Sequence, residues 1–230
     1  ITPAVTDDAV TLAKMAPGTD GNIISYDASG NPVAVATGND GQVLTSAGAG
    51  APPVFENAGG GAWNLLQTVT ASSSATVQLT GMDSTYKNYA VIYTSMIPAT
   101  DDTNLNLRVI TSGGVQSGGS DYLYAGFIYR SNGSTSESVS AGAAQIATGG
   151  GNFGSGTGES GRGTIYISDP SNTSVYTVIN GMFAQVDNGG VMGRSETAGA
   201  YKAVTAVTGV EFLFGSGAVA SGVFKLYGIS

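Results

Sequence analysis

The sequence contains neither cysteine nor histidine, and each absence removes a class of chemistry. Without cysteine the chain has no thiol nucleophile, no disulfide and none of the usual structural zinc sites. Without histidine it has no Ser-His-Asp triad and no imidazole metal ligand. Charged residues make up only 10% of the chain, against about 25% in ordinary soluble domains. We therefore expect no cofactor, and we expect robustness to come from packing or assembly.

The charge balance of the chain is acidic. Sixteen Asp and Glu residues outnumber eight Lys and Arg residues, which gives a net charge of −8. No basic cluster is present, which argues against nucleic acids and anionic membranes as partners. The longest apolar run, Leu123–Tyr129, is far too short to span a bilayer, so we expect no membrane insertion. The first residue is Ile1 rather than Met, and we expect a fragment of a longer polypeptide.

Glycine is abundant, at 36 of 230 residues, which is about twice its usual share. Small residues, Ser, Thr and Tyr supply much of the rest. This composition is typical of a β-rich, turn-rich chain. The sequence divides into three segments, residues 1–17, 18–61 and 62–230.

The first segment, residues 1–17, predicts a short helix. Asp7 and Asp8 suit its first turn, Lys14 suits its last turn, and Pro17 ends it. A helix of about ten residues is marginal alone in water. We expect it to pack against its own copies as a trimeric anchor or coiled coil, and the alternative is a frayed terminal helix packed on its own domain. The predicted trimer-axis residues of this helix are Val5, Leu12 and Met15.

The second segment, residues 18–61, contains a tandem sequence repeat. The blocks GTDGNIISYDASGNPVAVAT and GNDGQVLTSAGAGAPPVFEN align over 20 residues, and each predicts two short strands joined by turn residues. A two-stranded hairpin is not stable by itself, and a stacked solenoid needs about three repeats. We therefore expect several chains to wrap together, with Ile24 and Leu44 on a shared axis. The alternatives are a flexible linker and a calcium-binding repeat at Asp20 and Asp40, whose spacing does not match the known nonapeptide pattern.

The third segment follows a glycine-rich hinge, Asn57–Ala62, and carries short strands at regular spacing. Alternation of apolar and polar residues is clear at Leu105–Val109 and Val210–Phe214. This pattern predicts one antiparallel β-sandwich or jelly roll over residues 62–230. The predicted strands lie near Trp63–Thr70, Ala75–Leu79, Tyr89–Met96, Asn104–Thr111, Tyr122–Tyr129, Ala143–Ala147, Gly163–Ile167, Val175–Val186, Tyr201–Thr205, Gly209–Phe214 and Gly222–Tyr227.

Several stretches resemble a known family. VTDDAVTLAKMAPGTDGNIISYDASGNPVAVATG with GQVLTS resembles the stalk segments of tailed-bacteriophage fibres. Trp63, STYKNYAVIY, IPATDDTNLNLRV and the final SGVFKLYGIS are similar to the tip domain of such fibres. The two resemblances together span nearly the whole chain.

The resemblance implies a homotrimeric virion fibre protein on the surface of the particle, with a β-structured shaft and a jelly-roll-like tip. It implies that the tip contacts a bacterial surface glycan or outer-membrane protein, and that the N-terminal end docks on another virion protein. It carries over no catalytic residue, so we expect no enzyme. The alternative is a structural head fibre or decoration protein without a ligand.

The candidate receptor-binding residues come from two stretches. The glycine-rich loop Thr148–Gly163 is too long for a hairpin turn, and long loops in compact domains are usually functional or disordered. An aromatic ring beside polar groups could stack on a sugar and bind its hydroxyls; the alternative is a mobile loop with no role. The strand with Tyr122, Tyr124, Phe127 and Tyr129 supplies Tyr124, although these rings do not share one face and part of the run must be core. The loop candidates are Asn152, Phe153, Glu159 and Arg162.

Acidic residues offer two weaker alternatives. Asp101 and Asp102, near Asp83 or Asp121, could hold calcium with carbonyl oxygens, but such a pair is more often turn chemistry facing water. Paired carboxylates could also hydrolyse a capsular glycan. The acids are scattered at turns, however, and none stands in an apolar setting that would raise its pKa.

Overall fold

The computed structural model describes residues 17–58, 61–148 and 151–230. The predicted helix and its trimer-axis candidates Val5, Leu12 and Met15 lie outside the described residues. The chain divides into two compact units, Ile1–Gly60 and Gly61–Ser230. All regular structure in the described residues is β-strand, and every strand pair is antiparallel. No helix among these residues is long and apolar enough to cross a bilayer.

The first unit contains two β-hairpins, one in each repeat. Strands β1 (Ile23–Tyr26) and β2 (Pro32–Val35) form the first hairpin, and β3 (Gln42–Thr45) and β4 (Val54–Asn57) form the second. The Asp27 carboxylate closes the first turn by accepting the backbone N–H groups of Ser29 and Asn31 at 2.8 and 2.9 Å. These bonds, with that of the Asn31 side chain, lower the pKa of Asp27.

The strand registers of the two hairpins differ although the sequence repeats. In the first hairpin Ile24 pairs with Ala34, whereas in the second Leu44 pairs with Phe55 rather than with Val54, the repeat equivalent of Ala34. A shift of one residue turns side chains to the opposite face. The 20-residue period of the sequence is therefore not a period of the strand pairing.

The second unit is a sandwich of two sheets. The large sheet has the strand order β11-β10-β15-β14-β13-β7-β17-β5, and the small sheet has the order β12-β8-β16-β6, with β9 paired to one end of β8. The strands are β5 (Trp63–Ser74), β6 (Val77–Thr80), β7 (Asn88–Pro98), β8 (Leu105–Thr111), β9 (Gly114–Val115), β10 (Tyr122–Arg130), β11 (Thr135–Ala143), β12 (Ile146–Ala147), β13 (Gly161–Ser168), β14 (Thr177–Val186), β15 (Met192–Tyr201), β16 (Val207–Phe214) and β17 (Val219–Ile229).

The core lies between the two sheets, because alternate residues of each strand point inward. Leu105, Leu107 and Val109 of the small sheet are buried as the alternation predicts. Across from them the ring of Tyr93 on the large sheet contacts Phe212 of the small sheet, with centroids 6.0 Å apart. The predicted antiparallel all-β sandwich is therefore confirmed.

Two strands of the large sheet were not predicted, and one predicted strand is wrong. The residues of β11 and β15 are mostly Ser, Gly, Ala and Thr, with little intrinsic strand preference. They form strands because β15 pairs on both sides and β11 pairs with β10, and such context outweighs propensity. The predicted strand Tyr201–Thr205 is a loop beyond its first residue.

Candidate functional site

The glycine-rich loop does not present its aromatic residue to solvent. The ring of Phe153 is completely buried, packs edge-to-face on Phe214 and contacts Gly161, where a side chain would collide with it. The Phe153 N–H donates to the carbonyl oxygen of Thr103 at 2.8 Å. Stacking of Phe153 on a sugar requires an accessible ring, so this part of the sequence-based prediction is corrected: Phe153 is a core residue that anchors the loop.

The polar side chains at the start of the loop bind other parts of the same chain. The Asn152 amide donates to the Asp102 carboxylate at 2.5 Å, and Asp101 accepts the backbone N–H of Ser155 at 2.9 Å. Residues 17–58, 61–148 and 151–230 contain no group of three acidic side chains that could hold a metal ion. Asp101 and Asp102 thus tie the loop to the sandwich, and we do not propose a calcium site there.

The two remaining loop candidates differ in accessibility. Glu159 is half-buried and accepts the N–H of Gly156 at 2.6 Å, so its carboxylate closes a turn. Arg162 lies on β13, is exposed, and has no hydrogen bond or ion pair among the described residues. Of the loop candidates, Arg162 is therefore the one most available to a ligand.

The tyrosine-rich strand β10 alternates between the two faces of the large sheet. Tyr122 and Tyr124 point into the sandwich, where Tyr122 is fully buried and Tyr124 is half-buried against the core. Phe127 and Tyr129 point outward, with ring centroids 4.3 Å apart, and Tyr129 is 56% exposed. The accessible aromatic of this strand is Tyr129 rather than the candidate Tyr124.

Arg162 stands beside a β-bulge. Thr94 and Ser95 of β7 both lie opposite Arg162, because the register skips a residue between the pairs Gly161–Met96 and Gly163–Tyr93. Ser95 has a positive φ of 51°, which is uncommon for a residue other than glycine. Bulges often occur next to functional sites, where they redirect a side chain. Ser95, Ser160 and Arg162 line a depression of about 390 Å³.

The outer face of the large sheet carries a second cation near this depression. Arg162 pairs in register with Ala184, which pairs with Arg194, which pairs with Tyr129. Arg194 forms an ion pair with Glu196, and both arginines line a neighbouring depression of about 310 Å³. A guanidinium group binds carboxylates and phosphates through paired N–H donors. We name Ser95, Ser160, Arg162, Arg194 and Tyr129 the arginine site.

Sequence reasoning missed most of the arginine site. Four of its members come from four different strands and Ser160 directly precedes β13, and the strand β15 was not predicted. The signal that was present is the alternation Arg194-Ser195-Glu196, which places two charged residues on one face of a strand.

The hydrolase alternative finds little support on this face. Glu196 and Glu137 lie on either side of Phe127 in one cross-strand row, so about 10 Å separates their backbones. Both are exposed on an open face, and Glu196 is already paired with Arg194. Glycoside hydrolysis uses two carboxyl groups that flank the bond to be cleaved, and these two lie side by side on an open face instead.

The shifted pKa values belong to structural positions rather than to the arginine site. Hydrogen bonds from Thr85 and Tyr89 lower the pKa of Asp83, and those from Asn172 and Lys87 lower that of Asp169. Burial raises the pKa of Tyr89 and, much further, those of Tyr93 and Tyr122.

Comparison of the chain with protein-family models, with curated proteins and with solved structures gave no match. The function must therefore be argued from the residues and their geometry.

Proposed function

We propose that this chain is part of a homotrimeric fibre on the surface of a bacteriophage particle, and that it attaches the particle to its host. Residues 18–61 form the stalk and residues 62–230 form the tip. The N-terminal end joins another protein of the virion. The proposal combines the resemblance of the stalk repeats to phage fibres with the geometry of the two units.

The exposure of the apolar residues in the two repeats carries the proposal. Ile24 is 57% exposed, Tyr26 63% and Leu44 45%. Hairpins with so little buried surface are not stable alone, so an assembly that covers these apolar side chains would stabilise them. Wrapping three chains together covers Ile24 and Leu44 with their own copies.

The strand order of the tip supports the jelly-roll interpretation. Without β9–β11 and β14–β15, eight strands remain. Numbered along the chain, they stand in the orders 1-8-3-6 and 2-7-4-5, which is the jelly-roll arrangement. Four of the additional strands widen the large sheet, whereas β9 pairs with β8 of the small sheet, and β10 and β15 carry Tyr129 and Arg194 of the arginine site.

The arginine site is the receptor contact that the geometry favours. It offers the Arg162 guanidinium, which forms no ion pair with any residue that the structure describes, together with two hydroxyls and an exposed tyrosine ring, and these groups suit a sugar bearing a carboxylate or phosphate group. Each contact is weak, but three tips on one stalk raise the strength of attachment through effective concentration.

The test is binding of the fluorescently labelled chain to a panel of bacterial strains, with and without periodate treatment of the cells. Loss of one charged hydrogen bond costs about 1.5–3 kcal/mol, so Arg162→Ala should weaken binding about tenfold or more. Lys87→Ala, which removes an exposed cation paired with Asp169 elsewhere on the unit, is the matched control. Equal binding by both variants, unchanged by periodate, would contradict glycan attachment at this site.

A structural decoration protein without a ligand is the second candidate. The observation that favours it is the loop Thr148–Gly163, whose Phe153 ring is buried and whose one carboxylate, that of Glu159, accepts a hydrogen bond from the loop itself. A decoration protein would form the same trimer but would bind no bacterial strain of the panel. In either case Ile24→Asp with Leu44→Asp should reduce the assembly towards the 22.9 kDa monomer, measured by light scattering.

A further inference from the structure

Part of the outer face of the large sheet carries no charge, although Asp121 and Lys202 follow directly at its end. Two adjacent cross-strand rows run over it, one from Leu65 on β5 to Val139 on β11 and the other from Trp63 on β5 to Leu123 on β10. Neither row contains a charged residue. We call these two rows the neutral face. The arginine site lies on the same side of the sheet but in a different row.

The neutral face exposes large apolar side chains. Six of them keep between 38% and 66% of their surface in water. A fully exposed aromatic side chain offers about 150–250 Å² and the aliphatic ones less, so the six together leave an area on the order of 500 Å² uncovered. The largest contiguous patch of a typical monomer has a similar area, about 300–600 Å², but here the area is spread across the sheet from β5 to β11. The six are Trp63, Leu65, Leu123, Val139, Tyr166 and Val178.

This area matches one side of a stable interface between identical chains. A standard interface buries about 800 Å² on each partner, and about 65% of it is apolar between identical subunits, or about 520 Å². The neutral face therefore has the apolar area that such an interface requires.

The shape of the neutral face is that of a trough. Ala125, Ala198 and Ala200 form its floor, and Leu123 and Val178 stand beside them around a depression of about 520 Å³. A second depression of about 680 Å³ shares Ala125 and Ala198 but extends beyond the neutral face to Glu137 and Glu196. Small residues beside large ones allow the side chains of an opposing surface to interdigitate.

The charge of the chain indicates which partner fits. Two copies with a net charge of −8 repel each other least where neither surface is charged. A basic partner would instead be steered to acidic surface, and a small polar ligand would need oriented polar groups. The outer face of the small sheet differs: there Arg108 faces Glu211 at 3.7 Å, and Gln78 donates to Glu211 at 2.8 Å.

We propose that the neutral face is a self-association surface, covered by a second copy of this chain. The proposal concerns residues of the second unit alone and requires neither the stalk nor a receptor. It adds a tip-to-tip interface to the assembly.

Trp63 reports on this interface, because it is the sole tryptophan of the chain and lies on the neutral face beside Tyr166 and Tyr227. The experiment measures acrylamide quenching of Trp63 in the full chain across a dilution series, with the mass followed by sedimentation. We expect quenching to rise about threefold or more as the assembly dissociates, because an exposed indole becomes accessible to the quencher. Unchanged quenching between assembly and monomer, or a monomer at every concentration, would overturn the proposal.

Substitution separates this surface from the stalk. Val178→Glu places a charge on the neutral face, and Val204→Glu places the same charge in the loop between β15 and β16, at an equal exposure of about half. We expect Val178→Glu to weaken self-association about a hundredfold, since a buried unpaired charge costs about 3 kcal/mol or more, and Val204→Glu to leave it unchanged.

Circular dichroism and the thermal midpoint verify that both variants fold. If Val178→Glu does not fold, the quenching of Trp63 in the unmodified chain still tests whether the neutral face is covered. Equal association by the two folded variants, with dissociation only by the stalk substitutions, would refute the tip interface. Capture of a cell-surface protein by the neutral face, lost in Val178→Glu while self-association is kept, would also refute it and would assign the face to a receptor.

Discussion

Two buried tyrosines should respond oppositely to the same substitution. The hydroxyl of Tyr122 accepts the N–H of Val109 and donates to the carbonyl oxygen of Gln116, both at 2.8 Å. The hydroxyl of Tyr93 is equally buried but has no hydrogen-bond partner within residues 17–58, 61–148 and 151–230. Replacement by Phe removes one hydroxyl in each case, and only its surroundings differ.

The magnitudes follow from those surroundings. Tyr122→Phe loses two hydrogen bonds worth about 1 kcal/mol each and leaves the Val109 N–H unpaired, so it should destabilise the fold by about 3 kcal/mol. Tyr93→Phe removes an unpaired polar group whose burial costs about 1–3 kcal/mol. After the loss of its few contacts, we expect Tyr93→Phe to stabilise the fold by about 1 kcal/mol.

The assay is urea unfolding followed by circular dichroism, at one fixed protein concentration because assembly shifts apparent stability. With a slope of about 2 kcal/mol per molar urea, the midpoint should fall by about 1.5 M in Tyr122→Phe and rise by about 0.5 M in Tyr93→Phe. A loss in Tyr93→Phe as large as that in Tyr122→Phe would refute the reasoning, because it would mean that the Tyr93 hydroxyl is paired.

The remaining predictions concern stability at high pH and packing around Phe153. Burial raises the pKa of Tyr93 and Tyr122, so above pH 10 these tyrosines ionise in the unfolded chain before they do in the folded one. Each of the two tyrosines should then lower the free energy of unfolding by about 1.4 kcal/mol per pH unit. The measurement compares the free energy of unfolding at pH 9 and at pH 11, and an equal value at both would contradict the prediction. Gly161→Ala forces a Cβ into the Phe153 ring and should lower stability by about 2 kcal/mol or more. Gly119→Ala, with open space around it, should change the midpoint little, and an equal loss in both would argue against the anchor.

The sequence predicts the fold wherever alternation is strong. Leu105–Val109 and Val210–Phe214 alternate between large apolar and polar residues, and both lie in the sheet as expected. β11 and β15 were not recognised because their small residues gain strand structure only from neighbours far along the chain. Local patterns do not contain such pairings.

The candidate site was predicted less well than the fold. The glycines around Phe153 suggested an open loop. Glycine also allows a loop to approach a core closely, and in the structure Gly161 allows the Phe153 ring to pack into the core. Arg162 was found because it is a large side chain among small ones. Its neighbours Ser95 and Arg194 meet it only through strand pairing, which the sequence alone does not reveal.

The added strands of the large sheet have a consequence for how such a protein can diversify. The inner side of β10 and β15 is covered by β12 and by the loop after it, where Ile146 fits against Gly199 and Gly151 against Gln185. That loop is held by the core and has little freedom to vary. If the chain binds a receptor as proposed, new specificities would arise at the outward positions of β10, β13 and β15, and differences among related chains should recur at every second residue of these strands.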